Sequence, residues 1–159
     1  NDTIKSFLNL VKGFNKVNDI KIILELDKDI EVNGYQNELI QSLMNLYNNS
    51  KEIMEKRDIV DKYIFINTYV KNNLIIIKFK DSAGGIDTKI LPKIFDPYFT
   101  TKHQSQGTGL GLHTVYNLIV NDMDGKIEVK NISYKYQNKN LKGVEFKIMF
   151  TNKRIDHED

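Results

Sequence analysis

The spacing of apolar residues changes several times along the chain, and this feature restricts the possible folds more than any other. Three segments repeat apolar residues every three to four positions, which is typical of amphipathic helices, at residues 3–16, 36–56 and about 109–123. Other segments are rich in β-branched residues and predict strands at residues 20–26, 30–34, 63–70, 74–80, 125–131 and 143–150. Helices and strands therefore mix without strict alternation. This predicts an α+β fold, a two-layer α/β sandwich with helices on one face of a mixed sheet.

The length and composition of the chain limit its class. With 159 residues, of which 40% are hydrophobic and 28% charged, it is long enough to bury the core of one globular domain. We place that domain at residues 1–151, followed by a polar tail at 152–159 that we expect to be frayed. The net charge of +2 is too small to favour a nucleic-acid partner.

A few features bear on location and extent. The chain contains no cysteine, which excludes disulfides and thiolate metal sites. No signal peptide is present, and no apolar run approaches the ~20 residues that cross a bilayer. We therefore expect a cytoplasmic, monomeric domain. This expectation is compatible with a membrane anchor elsewhere in a parent protein. The start at Asn1, without methionine and directly before a helical pattern, indicates a fragment of a longer protein.

A long segment without periodicity, residues 81–108, follows the fourth predicted strand. It contains both prolines and several glycines, and loops of this length in a compact domain are usually functional or disordered. By contrast, residues 71–73 suit a tight hairpin turn. The Lys- and Asn-rich stretch between the last two strands is expected to be a polar loop.

Alternate glycines in the segment Gly107-Thr108-Gly109-Leu110-Gly111-Leu112 lead directly into the third helix. Glycine lets backbone N–H groups approach a ligand closely, and a helix N-terminus carries a partial positive charge. The segment is therefore a candidate phosphate cradle, although a flexible turn that caps a helix has the same pattern. The P-loop pattern GxxxxGK[ST] does not occur. A dinucleotide fold is disfavoured because a loop, rather than a strand, precedes the glycines.

Two kinds of polar side chain precede these glycines. Asp81 follows directly on an apolar strand and stands before a glycine pair. Because a carboxylate only accepts hydrogen bonds, Asp81 suits the amino group of adenine, with an Asp-initiated turn as the simpler alternative. Asn45 and Asn49 are four residues apart on the second helix and share a face. An amide oxygen suits Mg²⁺, although an exposed asparagine pair in an asparagine-rich chain is also compatible with the pattern.

An aromatic segment, residues 94–102, lies between Asp81 and the alternate glycines. Its aromatic side chains can anchor one end of a mobile loop and leave Lys102 free to reach a phosphate. A packed loop with a solvated lysine is the alternative.

In the order in which they occur along the chain, the four segments resemble the catalytic, ATP-binding domain of sensor histidine kinases. These kinases are a branch of the GHKL ATPase superfamily and have a Bergerat-type ATP-binding fold. Residues 41–50 resemble the N box, 81–85 the G1 box, 94–102 the F box and 107–112 the G2 box. Gly143-Val144-Glu145-Phe146 resembles the glycine motif of the closing strand. The match covers nearly the whole chain, and the order of the boxes is far more specific than any single box.

This resemblance implies ATP and Mg²⁺ as cofactors and a role for each matching residue. Asn49 would coordinate Mg²⁺ with the assistance of Asn45, and Asp81 would hold the adenine amino group. Gly85 would let the backbone pass close to the base, and Ile86 would help to wall the pocket. The lid over the phosphates would comprise Lys102, Gly107, Thr108, Gly109, Leu110, Gly111 and Leu112. Catalysis would then consist mostly of positioning and charge neutralisation, with Asn45 and Lys102 taking part.

The resemblance also implies protein partners. In the family, the phosphoryl group goes to a histidine on a separate dimeric helical hairpin, and a response regulator is the next partner. His103, His113 and His157 all lack the H-[DE]-x-x-x-P context of that histidine. We therefore expect the chain to bind ATP but to need the histidine-bearing dimerisation domain for phosphoryl transfer.

The chain departs from the family pattern at two places. Ala83 replaces the first glycine of the usual DxGxG, and residues 121–125 replace a His-Gly-Gly segment.

Three other functions compete with that of a histidine kinase. Hydrolytic members such as gyrase-, Hsp90- and MutL-type proteins carry a glutamate base where this chain has Asn45, whose amide cannot act as a base. The F box argues against an anti-sigma-factor-like serine kinase. The presence of Asn49 and Asp81 argues against an inactive docking module.

Overall fold

The architecture was obtained as a computed structural model, which describes residues 2–27, 30, 35–96 and 110–151. The helices are α1 (Asp2–Asn18), α2 (Gln36–Lys56) and α3 (Leu110–Tyr116), with a short 3₁₀ turn at Leu91–Lys93. The strands are β1 (Lys21–Leu26), β2 (Tyr63–Lys71), β3 (Leu74–Asp81), β4 (Lys126–Tyr136) and β5 (Lys139–Thr151). The predicted strand at 30–34 and the tail at 152–159 lie outside the described residues, apart from Ile30, which is buried.

Helix α2 has the bounds that its apolar periodicity predicts. Its buried side includes Leu39, Leu43, Leu46 and Met54, which recur at the spacing of one helical face. The helix ends because Asp58 has a positive φ of 53°, in the left-handed region that α-helices do not contain.

The strands form one mixed sheet in the order β1-β2-β3-β5-β4. β1 runs parallel to β2, and the remaining neighbours pair antiparallel. The β2–β3 hairpin turns at Asn72 and Asn73, with φ of 54° and 67°. Asparagine tolerates this left-handed conformation better than most residues, so the predicted turn at residues 71–73 is confirmed.

All three helices pack on one face of the sheet. Alternate strand residues on that face join a single buried cluster that also receives Phe7 of α1, Leu43 of α2 and Val115 of α3. The strand members include Ile64, Ile66, Ile75, Ile77, Phe79, Phe146, Ile148 and Phe150. The predicted two-layer arrangement is therefore confirmed.

The opposite face of the sheet carries an aromatic cluster, formed by Tyr63, Phe65, Tyr134 and Tyr136. The ring of Tyr136 lies 5.2 Å from that of Tyr63 and 5.0 Å from that of Phe65. The Nζ atom of Lys80 lies 4.2 Å from the centre of the Tyr134 ring, within the range of a cation–π interaction. The end of the β4–β5 hairpin thus packs over β2 and β3 on this face.

The predicted polar loop between the last two strands is wrong. β4 and β5 continue to Tyr136 and from Lys139, and they turn at Gln137 and Asn138 with φ of 50° and 65°. The Lys- and Asn-rich composition conceals the alternation of Tyr134, Tyr136 and Leu141. The pairing of Tyr134 with Leu141 in this hairpin and the aromatic cluster stabilise it as a strand pair.

The third helix confirms its prediction from Leu110 onward. After α3 the helix continues as a π-helical turn at Asn117–Asp122, and the N–H of Met123 donates to the carbonyl of Leu118 at 3.0 Å. Gly125 closes this end by donating its N–H to the carbonyl of Ile119 at 2.7 Å. Among the helices that the structure describes, none is long and apolar enough to span a membrane.

Gly125 marks a close approach between the third helix and the sheet. A Cβ atom there would lie 2.5 Å from the carbonyl oxygen of Met149 and 3.2 Å from that of Ile119. At Gly111, no atom of the described residues lies within 4 Å of such a Cβ. The two glycines therefore form a matched pair, one in a crowded place and one in open space.

We expect Gly125→Ala to lower the free energy of unfolding by about 1–3 kcal/mol, because backbone atoms must move to accommodate the methyl group. Gly111→Ala should leave it unchanged or raise it by up to about 1 kcal/mol, since alanine favours the helix. Urea unfolding monitored by circular dichroism measures both. A Gly125→Ala variant as stable as the parent chain would contradict the close approach.

Candidate functional site

The asparagines of α2 are placed as their spacing predicts. Asn45 and Asn49 are both half-buried on this helix, beside its fully buried side. Neither side chain makes a hydrogen bond within the described part of the chain, although amides at such positions usually have partners. Within the described residues, their oxygen atoms thus have no hydrogen-bond partner.

Asp81 is the last residue of β3, and its carboxylate is buried with 1% of the residue exposed. Oδ1 accepts the backbone N–H groups of Ala83 at 3.2 Å and Val144 at 3.1 Å. Oδ2 accepts the hydroxyl of Ser50 on α2 at 2.6 Å. Burial raises the pKa of Asp81 above its usual value, against the lowering effect of these three bonds.

The main chain of Asp81 is held as closely as its side chain. Tyr134 of the aromatic cluster donates its hydroxyl to the Asp81 carbonyl at 2.7 Å. Burial, and then the charge of Asp81, raises the pKa of Tyr134, so the phenol stays protonated and keeps donating. Gly143 on β5 lies directly alongside: a Cβ there would overlap the Asp81 carbonyl oxygen and lie 2.5 Å from Oδ1. Only glycine fits at position 143 while Asp81 keeps this place.

Ser82, the first residue after β3, is bonded to the start of β2. Its hydroxyl donates to the carbonyl of Asp61 at 2.6 Å and accepts the N–H of Tyr63 at 2.9 Å. The chain leaving β3 is therefore fixed from the first residue after the strand.

The glycine pair after Asp81 adopts the conformation for which glycine is needed. Gly84 and Gly85 have φ of 105° and 88°, a region that side chains make unfavourable. The N–H of Gly84 donates to the carbonyl of Lys142 at 2.8 Å. On the other side of the loop, Arg57 donates to the carbonyls of Ala83 and Gly85. These bonds hold residues 81–85 in place from both sides.

Asn131 of β4 holds the end of this loop through both atoms of its amide. Its Oδ1 accepts the N–H of Ile86 at 2.8 Å, and its Nδ2 donates to the carbonyl of Ile86 at 2.7 Å. The side chain thus imitates a neighbouring β-strand. Ile86 itself is half-buried and packs against the core.

The beginning of the aromatic segment is anchored, as its composition predicts. Ile94 is buried, and the ring of Phe95 lies 5.7 Å from that of Tyr116 and 6.3 Å from that of Phe146. His113 of α3 donates from Nδ1 to the Phe95 carbonyl at 3.0 Å, because a carbonyl can only accept. His113 therefore links α3 to this segment.

The predicted residues of the lid are only partly described. Lys102, Gly107, Thr108 and Gly109 lie outside the described residues, so their placement stays a prediction. Leu110 begins α3, Gly111 is half-buried within it, and Leu112 packs against the core.

The structure brings Asp81, Gly85 and Ile86 together with α2, through the bond from Ser50 to Asp81. Asn49 immediately precedes Ser50 on that helix. Sequence patterns did not single out Ser50, Arg57, Asn131 and Tyr134 as site residues. Each acts over a long sequence separation, and Tyr134 alone had a local signal, the strand alternation that the polar composition concealed.

Comparison with known proteins identifies the family. The model described as "Histidine kinase-, DNA gyrase B-, and HSP90-like ATPase" matches residues 34–154. Sporulation kinase A of Bacillus subtilis (strain 168) is 34% identical over 163 residues, covering 96% of this chain and 25% of that protein. The sensor histidine kinase ZraS of Salmonella typhimurium is 34% identical over 139 residues, covering 85% of this chain and 28% of that protein. The chain thus spans about a quarter of the length of these curated relatives.

Solved structures agree with the observed fold. The catalytic domain of histidine kinase ThkA superposes with a TM-score of 0.73 at 25% identity, covering 95% of this chain and 92% of that one. The mycobacterial sensor histidine kinase MprB, with a TM-score of 0.75 at 17% identity and coverage of 97% and 95%, shares the fold. ThkA in complex with the response regulator protein TrrA superposes with a TM-score of 0.71 at 22% identity and coverage of 96% and 40%. Since the family model covers most of the chain, this chain belongs to the histidine kinase-, DNA gyrase B- and HSP90-like ATPases, as an ATP-binding catalytic domain of the sensor histidine kinase type.

Proposed function

We propose that this domain transfers the γ-phosphoryl group of ATP to a histidine on a separate dimerisation domain of its parent protein. The observation that carries the proposal is the buried carboxylate of Asp81, which retains acceptor capacity for the amino group of a base. The sensor histidine kinases among the relatives support histidine, rather than serine, as the acceptor.

The accounting of acceptor sites on Asp81 favours adenine. Among the described residues, Oδ1 accepts two backbone N–H groups, while Oδ2 accepts one bond, from the Ser50 hydroxyl. A carboxylate oxygen has two lone pairs, so Oδ2 keeps one for a donor. At C6 of its ring, adenine carries an amino group, which donates a hydrogen bond. Guanine carries a carbonyl at C6, which would leave two acceptors facing each other without a proton.

We assign Mg²⁺ to the side-chain oxygen of Asn49, with Asn45 assisting. The described residues contain no group of three or more His, Cys, Asp or Glu that could hold a metal. Amide and phosphate oxygens are therefore the suitable ligands, and Mg²⁺ characteristically binds few protein groups besides phosphates. When bound, the ion would neutralise charge on the phosphates during transfer. The amide of Asn45 cannot activate water as a base, which supports phosphoryl transfer over hydrolysis.

We assign the covering of the phosphates to Lys102 and the segment 107–112. The start of α3 at Leu110 supports this assignment, as does the finding that no atom of the described residues lies within 4 Å of a Cβ placed on Gly111, because a glycine backbone can approach a ligand closely. Lys102 would place its charge on the phosphates. The anchored Phe95 would fix the beginning of this lid.

The proposed protein partners are the histidine-bearing dimerisation domain and a response regulator. ThkA, which shares this fold, has been solved with the response regulator TrrA. We propose a cytoplasmic location and a monomeric isolated domain, in keeping with the small net charge of +2 and the absence of cysteine.

For nucleotide binding, we expect Asp81→Asn to weaken ATP affinity by about 10- to 100-fold, because the amide loses a charged acceptor. Isothermal titration in the presence of Mg²⁺ measures this change. Asp87→Asn is the matched control, since Asp87 is exposed and, among the described residues, its carboxylate accepts a local bond from the Lys89 N–H at 2.9 Å. If Asp81→Asn bound ATP within twofold of the parent chain, the assignment of the base site would be wrong.

For stability, we expect Asp81→Asn to unfold at higher denaturant concentration than the parent chain at pH 7. The folded-state pKa of Asp81 is raised above 3.8 by burial, so the ionised group costs stability at neutral pH. The favourable contribution of the protonated group is complete below 3.8 and is lost as pH rises through the raised pKa. The advantage of the variant should therefore shrink as pH falls through this window. An advantage independent of pH would contradict this interpretation.

For catalysis, we expect this domain and the dimerisation domain of its parent kinase, mixed with labelled ATP and Mg²⁺, to yield acid-labile phosphate on histidine. Asp81→Asn and Asn49→Ala should abolish most of the label, while Asp87→Asn should not. Acid-stable label on serine would instead indicate a serine kinase. Release of inorganic phosphate without protein label would indicate a hydrolase.

A further inference from the structure

Arg57 occupies a place that the family's motifs leave without a role. It directly follows the last residue of α2, and its own N–H donates to the Ile53 carbonyl at 2.9 Å. Its Nη1 atom donates to the carbonyls of Ala83 and Gly85, both at 2.8 Å. A terminal guanidinium nitrogen carries two N–H groups in one plane, so a single nitrogen satisfies both carbonyls.

The conformation of the glycine pair explains why one donor reaches both of these carbonyls. With φ of 105° at Gly84 and 88° at Gly85, the flanking carbonyl groups converge on the same point. Two converging carbonyl dipoles repel each other unless a positive group lies between them. The guanidinium supplies that group, and a Cβ on Gly84 would lie 2.8 Å from its Nη1 atom.

The opposite side of the loop is held by different bonds. The Gly84 N–H donates to the Lys142 carbonyl at 2.8 Å, and Asn131 holds both backbone groups of Ile86. Arg57 is the contact that joins this sheet-bound loop to the end of α2, the helix that carries Asn45 and Asn49. The loop and the helix are thereby fixed at a defined distance from each other.

We propose that Arg57 is a positioning residue for base recognition, which sets the Gly85 peptide and the Asp81 carboxylate in the places where they meet adenine. The inference rests on the proposed ATP-binding function and adds to it a residue that touches the loop rather than the ligand. Its consequence is selectivity for adenine over guanine, because that selectivity depends on where the loop places its acceptors.

The charge of Arg57 contributes less than its geometry. Burial raises the pKa of Asp81 and Arg57 lowers it, but the arginine is exposed, and solvent weakens exposed charges. Within the described residues, the groups that hydrogen-bond to Asp81 are the hydroxyls of Ser50 and Tyr134 and the backbone N–H groups of Ala83 and Val144. Lysine would keep the charge of Arg57 but cannot place two N–H groups in a fixed plane, so it should replace arginine only in part.

The experiment compares Arg57→Gln, Arg57→Lys and the control Lys56→Gln, which removes the neighbouring exposed positive charge. Affinities for ATP, ADP and GTP are measured by isothermal titration on samples whose folding is verified by circular dichroism. We expect Arg57→Gln to weaken ATP and ADP equally, by about tenfold, the effect of a lost hydrogen bond to a charged group. GTP should change less than twofold, so the preference for ATP over GTP falls. The ATP affinity of Arg57→Lys should lie between those of Arg57→Gln and the parent chain. The affinities of Lys56→Gln should match those of the parent chain.

The outcomes separate this inference from the function on which it rests. A parent chain that does not prefer ATP to GTP would refute the proposed function itself. A parent chain that prefers ATP, with Arg57→Gln retaining the same preference, would refute the role of Arg57 alone. Loss of thermal stability without a change in that preference would mean that Arg57 only stabilises the fold. Amide chemical shifts of Gly84, Gly85 and Ile86 should move in Arg57→Gln and not in Lys56→Gln.

Discussion

The buried carboxylate of Asp81 is the group on which the rest of the site depends. An ionisable side chain with 1% exposure is costly to bury unless hydrogen bonds compensate it. The helix layer supplies one bond through Ser50, β5 supplies another through Val144, and β4 holds the carbonyl through Tyr134. The carboxylate is therefore satisfied only when both layers are docked, so this one group couples the helices to the sheet.

Local patterns predicted the elements that local forces determine. The bounds of α2 follow from its apolar face, and the turn at Asn72 and Asn73 follows from the tolerance of asparagine for positive φ. At the end of the β4–β5 hairpin, composition predicts a loop, because lysines and asparagines dominate there. The wrong prediction also conceals Tyr134, which lies in this stretch and donates its hydroxyl to the Asp81 carbonyl.

The site was predictable as far as short motifs extend. Asp81, Gly85 and Ile86 lie within six positions of one another, and the bond from Ser50 to Asp81 joins this segment to α2. Their supporting contacts join residues far apart: Arg57 to Ala83 over 26 positions, Ser50 to Asp81 over 31, and Asn131 to Ile86 over 45. No periodicity or composition encodes such pairs, because they exist only after the sheet and helices have packed. The roles of Lys102 and of residues 107–109 stay predictions.

The close approach of Gly143 to Asp81 links two positions that lie far apart in the sequence. Any side chain at 143 would occupy the space of the Asp81 carbonyl and carboxylate. A side chain at 143 can therefore be accommodated only if Asp81 moves. The two positions form one unit of structure, and a variant at 143 should show its first effect at Asp81.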